Sequence, residues 1–159
     1  MTSQKRKPYD IATAVFEKIQ NSFPQLEMVY ESDPNVDLVM RIPVQPGLSF
    51  SVDLNLQNID ELHLCASRFW CEWFPCTKER ITERYLESVL GLLSGEFRIL
   101  EHWRGRRCVK AQLQRPAAGR WNTLASSSTL LSFPWPRKTY KVIRNIADAD
   151  SGYIDMFNT

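Results

Sequence analysis

Leu48, Phe50, Val52, Leu54 and Leu56 alternate with Ser49, Ser51, Asp53 and Asn55. A period of two puts the apolar set on one face of an extended segment and the polar set on the other. Asn58 and Asp60 break the pattern, and Leu62 and Leu64 resume it against Glu61, His63 and Cys65. The reading is two neighbouring antiparallel strands, each with one buried face. Such a face needs a cover. Phe69-Trp70-Cys71-Glu72-Trp73-Phe74-Pro75 follows as the densest aromatic cluster. From Thr77 to Leu93 the apolar positions then fall at helical spacing: Ile81, Tyr85, Val89 and Leu92, widened by Leu86, Leu90 and Leu93. The expectation is a sheet, an aromatic edge and a helix lying across it, with Phe50, Val52 and Leu54 packed against Ile81, Tyr85 and Val89. Thr77 is placed to cap the helix and Gly95 to end it.

The flanks follow the same logic. Residues 1–7 are polar and read as disordered. Pro8 suits a first helical turn, and Ile11, Ala12, Val15, Phe16 and Ile19 make Tyr9 to about Asn21 an amphipathic helix that Pro24 stops. Leu26, Met28 and Tyr30 alternate as a short strand, and Val36, Leu38, Met40 and Ile42 as the next, across Ser32-Asp33-Pro34-Asn35 turn chemistry. Phe97, Ile99, Glu101 and Trp103 alternate, then Arg107, Val109, Ala111 and Leu113 alternate back after Gly105. This is a hairpin with a cationic tip. Trp121 to Leu124 reads as a further strand, Ser126-Ser127-Ser128 as a flexible break, Phe133-Pro134-Trp135-Pro136 as extended, and Tyr140, Val142 and Ile146 as a last strand. Residues 147–159 form a weakly specified tail.

These elements describe an α+β fold: a mostly antiparallel sheet of about six to eight strands covered by two helices, in the order helix, strands, helix, strands, within a single domain over residues 8–146. That order is similar in layout to small bacterial secretion-chaperone-like and immunity-type domains. The strand-rich C-terminal portion departs from the chaperone layout, which ends in a helix, and no family follows. The halves share an order of elements but no register of motifs. At 159 residues, one core can bury ~70% of the unfolded surface. No apolar run nears ~18 residues, so no membrane partner is expected. The basic N-terminus lacks an apolar segment behind it, so the expected location is cytoplasmic, with the four cysteines as reduced thiols.

Charge is unevenly distributed. Residues 8–95 carry six Lys or Arg against thirteen Asp or Glu, a net −7, whereas residues 96–145 carry eleven basic residues and only Glu96 and Glu101, a net +9. Asymmetry of this kind points either to an anionic partner or to halves that meet complementary surfaces.

Catalytic patterns are missing. There is no glycine-rich phosphate loop, no G-x-S-x-G and no H-E-x-x-H. His63, Cys65, Cys71 and Cys76 cluster, but their Cys-x5-Cys and Cys-x4-Cys spacings are not the Cys-x2-Cys knuckle of a zinc site, so neither a metal nor a cofactor is expected. Cys76, just before the second helix, would need His63 or His102 as base to act as a nucleophile, and packing under Trp73 or Phe74 is the simpler role. The chain is therefore read as a non-enzymatic protein-interaction module that binds a protein partner or self-associates as a homodimer. Its anchors would be Trp73, Phe74 and Trp135, aromatics beside prolines. The alternative is nucleic-acid or polyanion binding through Arg104, Arg106, Arg107, Lys110, Arg115 and Arg120, near Trp103 and Trp121. A pI near 8.4 falls below the ~9 of a dedicated nucleic-acid binder.

Overall fold

A computed structural model describes residues 7–129 and 136–146 of the chain. The segment before Lys7, the Phe133-Pro134-Trp135 stretch with its candidate anchor Trp135, and the tail 147–159 lie outside the described residues.

The fold is α+β; the described residues form two helices and nine antiparallel strands, and the strands divide into two sheets. Helix α1 (Pro8–Ser22) opens the chain with its proline in the first turn and buries Ala12, Val15, Phe16 and Ile19. A five-stranded meander follows: β1 (Val29–Asp33), β2 (Val36–Ile42), β3 (Val52–Gln57), β4 (Glu61–Ala66) and β5 (Phe69–Trp73), paired in chain order. Register carries the apolar parity across the sheet. Met40 faces Leu54, Leu54 faces Leu64, and Leu64 faces Cys71; Leu38, Leu56, Leu62 and Trp73 form the next row. Those side chains share one face, and helix α2 (Glu79–Ser94) covers it with Tyr85, Val89, Leu92 and Leu93 alongside α1. The Tyr85 hydroxyl donates to the His63 carbonyl at 2.8 Å, which fixes the helix on the sheet.

The second sheet has the order β8-β7-β6-β9, from β6 (Arg98–Arg104), β7 (Arg107–Ala117), β8 (Arg120–Ser128) and β9 (Lys138–Ile143). Strand β5 lies beside β7 and β8, and the Trp70 backbone N–H donates to Ser127 Oγ at 3.4 Å. Ile99, Ala111 and Leu113 point inward and join the core of the first sheet.

Several local expectations change. Strand β3 begins at Val52, and Phe50 is only half-buried. The Ser49 N–H donates to the Asn145 side chain at 3.2 Å, not to a strand partner. Strand β1 starts at Val29, leaving Leu26 buried in the preceding loop. Helix α2 begins at Glu79 after an uncapped Lys78, so Thr77 is not its cap. Thr82 Oγ1 instead donates to the Cys76 carbonyl at 2.7 Å. Ser126, Ser127 and Ser128 are strand, because pairing with Gln112, Ala111 and Lys110 overrides the weak strand preference of serine. Gly95 ends α2 in the left-handed region, at φ +79°, as its position in the sequence suggests.

Candidate functional site

The two faces of the second sheet differ in chemistry. Parity and register put Ile99, Glu101 and Trp103 of β6 on the inner face with Ala111 and Leu113 of β7. They put Arg98, Leu100, His102 and Arg104 on the outer face, with Lys110, Gln112 and Gln114 of β7, Trp121, Thr123, Ser126 and Ser128 of β8, and Lys138, Tyr140 and Val142 of β9. None of these outer side chains is a carboxylate. All are half-buried or exposed except Gln114. Aromatic rings and cations meet directly here. The Lys138 ammonium lies 5.1 Å from the Tyr140 ring centre, and Tyr140 meets His102 edge-on at 5.0 Å. Trp121 holds two guanidinium groups, Arg98 at 4.1 Å and Arg144 at 5.3 Å. Short polar bonds order the surface: Arg98 Nε donates to Gln114 Oε1 at 2.9 Å, and Gln112 and Gln114 both donate to Thr123 Oγ1 at 3.3 Å. His102 Nε2 donates to Gln112 Oε1 at 2.7 Å, because an amide oxygen can only accept.

The six cations singled out in the sequence do not form one patch. Arg104, Arg106 and Arg107 sit at the turn between β6 and β7, and Lys110 lies on the outer face one strand-step in. Arg120 opens β8, paired with Ala117 at the far end of β7. Arg115 points away from the outer face and pairs with Glu87 of α2 at 3.1 Å. The sequence reading missed Arg98, His102, Lys138, Tyr140 and Arg144, although the first two share the parity of Leu100, opposite to Ile99.

Among the aromatic anchors, Trp73 is corrected. It belongs to the core face of β5, is 9% exposed and packs edge-on against Tyr85 at 5.4 Å, because it continues the parity of Phe69 and Cys71. Phe74, beyond the end of the strand, is 55% exposed, and Trp70, on the opposite face, is 48% exposed.

The cysteine and histidine cluster does not converge. His63 and Cys65 lie on the outer face of the first sheet, Cys71 on its core face, and Cys76 is buried after β5. Among the described residues, no group of three His, Cys, Asp or Glu side chains is placed to hold a metal ion. The Trp70 indole N–H donates to His63 Nδ1 at 3.2 Å; an indole is a donor only, so the His63 proton sits on Nε2 and is given to Glu61 Oε2 at 3.0 Å. Both ring nitrogens are spent, which leaves His63 without a free position for a thiol. Burial, with the charge of Asp60 adding, pushes the Cys76 thiol up to about 11, away from a nucleophilic thiolate.

No described helix is long and apolar enough to cross a membrane. The chain matches no known protein family, no curated protein and no solved structure.

Proposed function

We propose that the protein binds a flexible polyanion, single-stranded nucleic acid in the first instance, along the outer face of the second sheet. One observation carries this reading: Arg98, Arg104, Lys110 and Lys138 share that face with Trp121, His102 and Tyr140, and no carboxylate stands among the side chains that register places there. Cations aligned on a sheet draw a phosphate backbone, and half-exposed rings offer bases a stacking surface that every base can use. The direct test is fluorescence anisotropy with short RNA and DNA strands at ~50 and ~200 mM salt, the range over which phosphate-driven binding weakens steeply. The reading expects micromolar or tighter binding at low salt with a steep salt dependence. Absence of binding at ~50 mM salt would overturn it.

A second reading, association with another copy of the chain, is supported by charge. A groove of about 340 Å³ between α1 and α2 is lined by Ile11, Val15 and Leu86 and by two carboxylates, Glu79 and Glu83, against one cation, Lys18. That sign complements the basic sheet face of a second molecule. It replaces Trp73 as the basis for a protein-interaction role and predicts a salt-sensitive dimer in sedimentation.

A further inference from the structure

We propose that Arg98 and Arg144, held against the Trp121 indole, form a site for a phosphate monoester, the terminal phosphate of the strand bound along the second sheet. This rests on the polyanion reading of that sheet and adds to it the point where the strand ends.

The site is built before any ligand arrives. Both guanidinium groups lie over one indole, at 4.1 and 5.3 Å from its centre. Each is oriented by a neutral acceptor: Arg98 Nε donates to Gln114 Oε1 at 2.9 Å, and Arg144 Nε donates to the Gly95 carbonyl at 2.6 Å. Those bonds spend the inner N–H of each fork and leave the outer N–H groups for a ligand. Among the described residues neither arginine pairs with a carboxylate. Partial burial, together with the neighbouring charge of Arg144, holds the Arg98 guanidinium below its ordinary value. Two like charges gathered on one ring are compensated best by a single group of matching charge. A phosphate monoester carries roughly −1.5 to −2 at neutral pH and three acceptor oxygens, whereas an internal diester carries one negative charge. Charge matching therefore selects the end of a strand over its middle. The position agrees, since Arg98 opens β6 and Arg144 follows β9, at the end of the sheet remote from Arg106 and Arg107.

The experiment compares one short labelled oligonucleotide carrying a 5′-phosphate, a 3′-phosphate or hydroxyl at both ends, with the full chain at ~50 mM salt. One phosphorylated form should bind about tenfold more tightly than the hydroxyl form, equivalent to ~1.4 kcal/mol. Arg98→Gln and Arg144→Gln should each erase that advantage, so that phosphorylated and hydroxyl-ended strands bind alike, with Arg98→Gln also weakening hydroxyl-ended binding because it removes one of the cations of the sheet face. Arg144→Lys, which keeps the charge but not the fork, should lose most of it. The wild-type comparison decides the matter even if a variant folds poorly. Equal affinity for all three ends would overturn the terminal-phosphate site and leave the sheet reading intact. If no oligonucleotide bound but inorganic phosphate shifted the Arg98 and Arg144 side-chain resonances, the strand reading would fall and the ligand would be free phosphate. Silence from both would overturn both.

Discussion

Ser67 donates its hydroxyl to Glu101 Oε1 at 2.6 Å, joining the turn between β4 and β5 to the second strand system. Glu101 is fully buried, and its carboxylate is otherwise met by the Arg68 backbone N–H at 3.1 Å and by the Trp103 indole N–H at 3.0 Å on the other oxygen. A carboxylate surrounded by donors is stable only while all of them point at it. Glu101→Ala would leave three donors facing a cavity. We expect a loss of about 3 kcal/mol in urea denaturation. Glu101→Gln should also destabilise, because its NH2 group must face another donor. A variant as stable as wild type would refute the role of Glu101 as the clasp between the sheets.

The sequence made the interior of this fold readable because a strand enforces strict alternation. Val52, Leu54, Leu62 and Leu64 stand in the core as their parity requires. The same rule, applied to Phe69, Cys71 and Trp73, would have put Trp73 inside; its adjacency to Pro75 suggested a surface role that parity overrules. The binding face was harder to see, because it depends on which strands are neighbours. Strand β7 has 11 residues and spans roughly 33 Å, so cations close in sequence at its two ends are far apart in space. Trp121 reaches Arg98 only because β7 separates their strands, an order that local sequence does not encode.

Asn145 ties three segments at one point. Its Nδ2 donates to the Leu93 carbonyl at 2.7 Å and the Gly47 carbonyl at 2.8 Å, while Oδ1 accepts the Ser49 N–H. Asn145→Ala should cost about 2–3 kcal/mol, since it strands groups at the end of α2 and in the loop before β3. Gly95 is coupled to the same point: a Cβ there would collide with the Asn145 carbonyl oxygen, and its φ of +79° disfavours any other residue. Gly95→Ala should therefore cost more than the ~1–2 kcal/mol of the left-handed conformation alone. Thermal melts of both variants check this. A wild-type melting temperature for either one would contradict the geometry.

Cys65 and Cys76 give the fold an alkaline limit. Burial, with Asp53 and Asp60 respectively adding, pushes each thiol up to about 11 from an ordinary value of 9.0. The neutral form is favoured in the folded state. The associated stability is therefore full below pH 9 and lost as pH rises toward about 11. Urea midpoints measured across that window should fall, and Cys76→Ala should flatten part of the fall. A midpoint unchanged from pH 8 to about 11 would refute the burial assignment. Near pH 8 a thiol reagent should react slowly with Cys76 until denaturant is added, since reactivity follows the thiolate.

Lys110 and Lys138 provide the sharpest test of the sheet face, because Arg115 supplies an internal control. Lys110 and Lys138 lie on the outer face, and neither pairs with a carboxylate among the described residues. Arg115 is as basic and belongs to the same strand as Lys110, but it turns toward α2 and pairs with Glu87 at 3.1 Å. If binding reflected net charge alone, removing any of the three would weaken it alike. If the phosphates run along the outer face, the Lys110→Gln, Lys138→Gln double variant should weaken binding to every strand sequence and lower the magnitude of the salt slope by about two, roughly one per lost phosphate contact. Arg115→Gln should leave affinity and slope nearly unchanged. Tyr140→Leu separates the ring from the charge, since it keeps the slope but removes a stacking surface worth ~1–3 kcal/mol per base. Anisotropy titrations over a salt series read all four proteins on one scale, and an Arg115→Gln defect equal to that of the lysine pair would move the binding surface off this sheet.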